Sequence, residues 1–300
     1  MPIRLLSSEV ASQIAAGEVI ERPASVVKEL LENSLDAGAR SVTIMVEEAG
    51  KKLIEVADDG SGIPSAELEL AVSRHATSKL IRSDDLFSIS TLGFRGEALA
   101  SIGSVSRMTV TSRVKDETEG ARLRLEGGKS GKITKVGTTV GTTVRVEDLF
   151  YNVPARLKFL KSDGTERRAI DLLATRYALA YPNIRIKLSE GKNVILQTSG
   201  DGDRRAILAA LYGVDVAKQM LEIMSEEDPS TGSGQGMMRL TGFISPTSLT
   251  RSNRKEITFF INGRWVHDAA LSAALLQAYH TLLMVGRYPL TALFLEIPPE

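Results

Sequence analysis

Between Pro23 and Gly38 apolar side chains recur three and four places apart, at Val26, Val27, Leu30, Leu31 and Leu35, with Ser34 in the same stripe. That spacing predicts a helix opening at Pro23, a residue suited to a first turn, and closing at Gly38. The pattern then changes period. Ser41–Glu47 and Lys52–Ala57 alternate, are rich in β-branched residues, and are joined by Ala49-Gly50-Lys51, so they read as a hairpin. Upstream, Ser7–Ala16 reads as a shorter helix, capped by Ser8 and stopped by Gly17.

Beyond the hairpin the elements alternate in type. A helix is expected over Ser65–Ser73, then an aperiodic stretch, 75–96, too long for a passive connection, then a helix over Glu97–Ile102. Strands follow at Arg107–Ser112, Ala121–Glu126, Ile133–Val136 and Thr142–Val146, helices near Ala155–Leu160 and Glu166–Ala180, and strands at Ile184–Leu188 and Asn193–Gln197. Ser199-Gly200-Asp201-Gly202-Asp203 reads as a linker. After it come a helix at Arg204–Tyr212, strands near Met220, Met238–Phe243 and Ile257–Ile261, a helix at Ala269–Thr281 and a last strand, Leu290–Ile297. Glu226–Gly236 is a polar Gly- and Ser-rich excursion. The sum is an α+β protein in two lobes, divided as residues 1–200 and 201–300.

Composition narrows the chemistry. With 43% apolar residues in 300, the chain can bury a core unaided. No cysteine is present, which excludes disulfides, thiolate metal sites and cysteine nucleophiles and suits a reducing cytoplasm. The start, Met1–Val10, is not a signal peptide, and the most apolar window, Leu271–Met284, is broken by Gln277 and His280, so no membrane span is expected. Lys and Arg balance Asp and Glu at 37 each, so any contact with nucleic acid must come from a local basic patch.

Four short constellations can carry chemistry. Glu29, Asn33 and Asp36 share one face of the predicted helix at steps of four and three. A carboxylate there can deprotonate a water, and an amide oxygen can help hold a hard cation such as magnesium; a solvated helix face is the plainer alternative. Asp58-Asp59-Gly60-Ser61-Gly62 ends a strand, where an acid can accept from an amino group such as that of adenine, or simply shape a tight turn. Gly93-Phe94-Arg95-Gly96-Glu97 precedes a helix and offers backbone amides to an anion, bracketed by Arg74, Lys79 and Arg95. Gly141-Thr142-Thr143 opens a strand whose hydroxyls could share a water with Asp58. Two look-alikes fail. Gly128-Lys129-Ser130 mimics a P-loop ending, but Leu123 stands where its glycine is needed; Gly232-Ser233-Gly234-Gln235-Gly236 mimics a dinucleotide fingerprint without the flanking strand and helix.

The order Glu-x3-Asn, Asp-x-Gly-x-Gly, glycine segment and Gly-Thr resembles the ATPase superfamily that joins gyrase, heat-shock chaperones, histidine kinases and MutL. Longer stretches are similar to the MutL mismatch-repair family: Gln13–Val19, Arg22–Leu30 with Glu32–Ala39, Arg74–Lys79, Gly93–Leu99, Leu149-Phe150-Tyr151-Asn152-Val153-Pro154-Ala155-Arg156, and Phe260–Arg264. The resemblance implies an ATPase sandwich of helices on a mixed, mostly antiparallel sheet, then a smaller βαβ lobe resembling a ribosomal-protein domain. It implies Glu29 as general base, Asn33 as magnesium ligand with Asp36 beside it, Asp58 on the adenine amino group, Gly62 beneath the base and Thr143 in the water network. Thr77, Ser78 and Lys79, with Leu92, Gly93, Phe94, Arg95 and Gly96, would surround ribose and phosphates. ATP and Mg are the implied ligands, and slow hydrolysis would reset an ATP-driven homodimer.

By the same resemblance the dimer would hold double- and single-stranded DNA independently of sequence, and would meet a mismatch-sensor protein and a downstream nuclease or helicase in the cytoplasm. Arg251, Arg254, Lys255 and Arg264 form the basic cluster expected to touch DNA. The family continues past Ile297-Pro298-Pro299-Glu300 into a His-Pro-x-Lys turn whose lysine reaches the γ-phosphate, so this chain reads as a fragment in which turnover is impaired. Two other classes remain open on sequence: a histidine kinase, although no histidine precedes His75, and a DNA-binding module whose pocket is only structural.

Overall fold

The computed structural model describes residues 16–17, 19–77, 92–93, 96–227 and 238–298. The described chain forms two compact units. Residues up to Thr175 and Asn183–Asp201 make the first; Arg176–Pro182 and everything from Gly202 make the second.

The first unit is built on a mixed sheet of nine strands among the described residues. Its centre is the predicted hairpin, β1 (Ser41–Glu47) and β2 (Leu53–Asp58), turned by a 3-10 segment at Glu48–Gly50. β2 pairs antiparallel with β7 (Gly141–Glu147), which pairs antiparallel with β3 (Arg107–Arg113), and that in turn with β4 (Gly120–Glu126). Short β5 (Lys129–Ser130) and β6 (Thr134–Val136) both pair with β4. On the other side β1 pairs parallel with β8 (Arg185–Glu190), and β9 (Asn193–Gln197) closes the edge.

Alternation gives the sheet one apolar face. Val42, Ile44, Val46, Ile54, Val56, Met108, Val110, Leu123, Val144, Val146, Ile186 and Leu188 are all buried. Helix α1 (Pro23–Asp36) packs on β1 and β2 and buries Val26, Val27, Leu30, Leu31 and Ser34 of the expected stripe, while Leu35 is half-buried. The expected helix over 65–73 is a 3-10 turn at Ser65–Glu67 continued by the short α2 (Leu68–Ala71). Next come α3 (Ala98–Ser104), α4 (Pro154–Phe159) and α5 (Asp163–Ala180).

Gly17 does not end a helix: Ala16, Gly17 and Val19 are helical, and Ile20 N donates to Ala16 O at 2.7 Å. Glycine is only a weak stop when the next turn's hydrogen bonds can still form. The rest of the helix expected over Ser7–Ala16 lies outside the described residues, as does most of the excursion at Glu226–Gly236.

The second unit adds α6 (Arg204–Tyr212), capped by Asp203 through Arg205 N and Ala206 N, and α7 (Val214–Gln219), which periodicity did not reveal. Its sheet runs β10 (Leu221–Glu227), β11 (Met238–Ile244), β16 (Thr291–Glu296), β13 (Ile257–Ile261), β14 (Arg264–Val266). A two-residue ladder of β12 (Thr250–Arg251) and β15 (Tyr288–Pro289) stands beside it. β13 and β16 are parallel, and α8 (Ala269–Ala278) lies between them in the chain, which makes the expected βαβ unit. Phe260 and Phe294 stack across that parallel pair at 4.8 Å. The Asn262-Gly263 turn after β13 has both residues at positive φ, as a type I′ hairpin turn requires.

Candidate functional site

Helix α1 carries the first constellation and ends where the second begins. Its C-terminus is closed by two backbone bonds, Gly38 N to Leu35 O at 3.0 Å and Ala39 N to Ser34 O at 3.1 Å, with Gly38 at φ +71. The loop after β2 then docks on this helix end. Ser61 N donates to Ala37 O at 3.0 Å, and a side chain at Gly60 would come within 2.8 Å of Ala37 Cβ. The turn sequence Asp58–Gly62 is thus held against α1 by backbone contacts that exclude larger residues.

Asp58 is the most constrained acid of this region. Its Oδ1 accepts from Gly60 N at 2.9 Å and Thr142 N at 3.2 Å, and its Oδ2 lies 2.8 Å from Ser34 Oγ on α1. Ser34, itself buried, also reaches Leu30 O at 3.1 Å. Burial pushes the Asp58 carboxyl above its ordinary value, the neighbouring Asp59 adds to this, and the three donors oppose it. Asp59 has a purely structural part: its Oδ1 accepts from Arg40 N and Ser41 N, both at 2.8 Å, and so fixes the start of β1.

The structure corrects the expected threonine. Thr142, not Thr143, is the register partner of Asp58, and its Oγ1 meets Ser112 Oγ at 2.8 Å. Thr143 pairs with Ala57 and Thr111 and points to the opposite face, where it lines an open concavity of about 1040 Å³ with Glu55, Arg122 and Arg145. A step of one residue along a strand changes the face, and sequence spacing alone does not say which of two adjacent threonines is inward.

The glycines have steric reasons. At Gly62, φ is +78 and a Cβ would sit 2.2 Å from the Arg113 carbonyl oxygen, so close approach to protein backbone already accounts for this glycine. At Gly141, φ is +120 and a Cβ would sit 2.0 Å from Asp58 O. Gly141→Ala should therefore cost about 3 kcal/mol through backbone strain and displacement of β2. Chemical denaturation measures it, and a variant as stable as the parent would refute the account.

Asp36, the last residue of α1, accepts Leu92 N at 2.9 Å on one oxygen and Gly93 N at 3.1 Å on the other. The amides of Leu92 and Gly93, expected to face phosphate, are thus engaged by protein. At the other end of the aperiodic stretch a Cβ on Gly96 would sit 2.7 Å from Ala76 O and 3.1 Å from Thr77 Cβ, and His75 Nδ1 lies 3.1 Å from Glu97 Oε1. The two ends of the segment therefore meet. Ser78, Lys79, Phe94 and Arg95 lie outside the described residues.

Glu29 faces Lys28, whose Nζ stands 3.3 Å from Glu29 Oε1 and 2.9 Å from Glu32 Oε2. Burial works against the Lys28 charge, but Glu29 and Glu32 together outweigh it and hold its pKa above the usual lysine value. Asn33 lies one turn further along the same helix, half-buried. The motif Leu149–Arg156, conspicuous in sequence but with no chemistry assigned, proves structural. Phe150 is fully buried, and Arg156 Nη1 donates to Ile20 O at 3.0 Å with its guanidinium against Gly17, which fastens the segment leading into α1.

The expected basic cluster of the second unit is partly neutralised. Arg251 Nε is 2.5 Å from Glu256 Oε2, and Arg254 stacks over Tyr288 with its guanidinium carbon 5.1 Å from the ring centre. Arg254, Lys255 and Arg264 are exposed. Arg251 is a weaker candidate than sequence suggests, because its charge already has a carboxylate partner.

Comparison with known proteins gives a consistent answer. A family model described as "Histidine kinase-, DNA gyrase B-, and HSP90-like ATPase" matches residues 20–142, and one described as "DNA mismatch repair protein, C-terminal domain" matches residues 208–300. The mismatch-repair protein MutL of Lactococcus lactis subsp. cremoris is 48% identical over 98% of this chain, and that of Heliobacterium modesticaldum 45% over 99%; in each case the match covers 44% of the relative. The chain therefore spans less than half the length of these curated relatives. Among solved structures, the Aquifex aeolicus MutL ATPase domain complexed with ADP shares 30% identity, with a TM-score of 0.69 and 94% of both chains covered. The N-terminal domain of a DNA repair protein gives a TM-score of 0.81 at 27% identity, over 96% of this chain and 87% of that one. By sequence along nearly its whole length and by fold in both units, the chain belongs to the MutL family of DNA mismatch-repair proteins, as its N-terminal ATPase region.

Proposed function

We propose that the chain binds ATP at the junction of α1 and the end of β2, hydrolyses it slowly, and uses the nucleotide to switch a mismatch-repair dimer on DNA. The observation that carries this is the tie from Ser34 to Asp58, which sets α1, with Glu29 and Asn33, beside a half-buried strand-end carboxylate. That pairing suits a purine. Asp58 Oδ2 can accept an amino hydrogen, and the charged oxygen discriminates against a keto group at the same place. The ADP held by the Aquifex relative supports the same ligand class.

In this reading Glu29 takes the proton of the attacking water, and Thr142 stands where Thr143 was expected in the network around Asp58. The phosphates fall to the Leu92–Gly96 backbone, and the ribose to Thr77, Ser78 and Lys79 at the other end of the segment. Magnesium fits the donor chemistry of α1: the amide oxygen of Asn33 is a hard ligand, and a cation that keeps its waters and binds triphosphate oxygens needs few protein ligands. When bound, it would neutralise charge on the phosphates. The region spans part of its relatives, so clamp formation, DNA contact through Arg254, Lys255 and Arg264, and exchange with a mismatch sensor or a downstream nuclease or helicase are proposals for the whole protein. The expected DNA contact is to backbone phosphate and independent of sequence.

Light scattering tests the switch. The mass of the chain should double on adding Mg and a non-hydrolysable ATP analogue, and return on exchange for ADP. A mass that stays constant at saturating analogue would remove nucleotide-driven dimerisation from this region.

A further inference from the structure

We infer that Asp36 is a positioning residue, which touches no nucleotide and instead fastens the Leu92–Gly93 backbone to the helix that carries Glu29 and Asn33. The inference rests on the ATP reading and refines it, because sequence placed Asp36 among the ligand-binding side chains. Three observations lead to it. Asp36 is the last residue of α1, at the negative end of the helix dipole, and that helix has no basic residue in its own last turn. Its two oxygens are each taken by a backbone amide, from consecutive residues, at 2.9 and 3.1 Å. Bonds of this charge-assisted kind are stronger than neutral ones and fix the direction as well as the distance of the donor. The other root of the same segment is closed independently, where Gly96 packs on Ala76 and Thr77.

The geometry makes α1 a hub. One residue, Ser34, ties it to Asp58 at the proposed adenine end; another, Asp36, ties it to the glycine-containing backbone at the proposed phosphate end. Loss of the second tie should leave the adenine end intact and weaken only what depends on phosphate. That separation distinguishes positioning from a general contribution to folding.

The test compares wild type, Asp36→Ala and Asp36→Asn by amide hydrogen exchange of a peptide containing Leu92 and Gly93, and by affinity for Mg-ATP and for adenosine. In Asp36→Ala those amides should exchange about tenfold faster or more, and Mg-ATP should bind about tenfold more weakly, while adenosine affinity stays within about twofold. Asp36→Asn keeps one acceptor oxygen and should fall between wild type and Asp36→Ala on both readouts. Unchanged exchange in Asp36→Ala overturns the anchor, and equal weakening of Mg-ATP and adenosine overturns the positioning role in favour of a merely structural one. A wild-type chain that bound neither ligand would instead sink the ATP reading, and the exchange comparison would still decide the anchor.

Discussion

Asp58→Asn should weaken ATP binding about 100-fold while leaving the fold as stable as before or more so. The two halves of this expectation come from the same hydrogen bonds. An asparagine Oδ1 can keep the bonds from Gly60 N and Thr142 N. Its Nδ2 then faces Ser34 Oγ, which can turn its own hydrogen to Leu30 O and accept. Nothing buried is left unpaired, and the desolvation that raises the Asp58 pKa is relieved. What is lost is the acceptor: an amide NH2 presented to an adenine amino group sets donor against donor. The sign of the pH dependence follows. The folded-state pKa lies above the ordinary value of 3.8, so the folded protein holds the proton more tightly than the unfolded chain. The cost of the ionised group is therefore absent below 3.8, grows as pH rises through the window up to the folded value, and is complete above it. The variant's stability relative to wild type should shrink as pH falls through that window. Calorimetric titration with ATP and thermal unfolding across pH measure the two halves. Undiminished ATP binding would move the adenine site away from Asp58, and a marked loss of stability at neutral pH would show that the asparagine does not take over the hydrogen bonds of Asp58.

The parts of this site that sequence revealed are those governed by period. The stripe of α1 and the alternation of β1 and β2 locate Glu29, Asn33 and Asp58 on their elements, because burial of one face dictates those periods. What the period leaves open is how the elements meet. Ser34 reads as one more small residue in the stripe; only the packing of α1 on β2 turns its hydroxyl into a partner of Asp58. The adjacent threonines 142 and 143 are equivalent in composition, and register decides between them. Gly62 and Gly141 suit both a ligand's approach and a protein backbone's, and the contacts with Arg113 and Asp58 supply the second reason directly. Asp36 looks like a third member of a polar face, yet its partners lie 56 and 57 residues away, beyond any local pattern. In the second unit the count of cations was legible, but not the pairing of Arg251 with Glu256.

Glu29→Gln should reduce single-turnover ATP hydrolysis about 1,000-fold and leave ATP affinity within about threefold of wild type. A general base contributes by taking a proton as the nucleophile forms, and a glutamine of the same shape cannot do so. Substrate affinity, by contrast, rests on Asp58 and on the segment anchored by Asp36. The local structure should tolerate the change. Lys28 keeps Glu32 at 2.9 Å when the longer 3.3 Å contact with Glu29 loses its charge, and α1 retains its buried stripe and its C-terminal closure. The pattern to look for is a split, with the chemical step lost and binding and thermal stability preserved. If ATP affinity and turnover fell together, Glu29 would be holding the ligand rather than activating water. If the single-turnover rate stayed within about tenfold of wild type, the base would have to be sought elsewhere on the polar face of α1, or water would need no such base here.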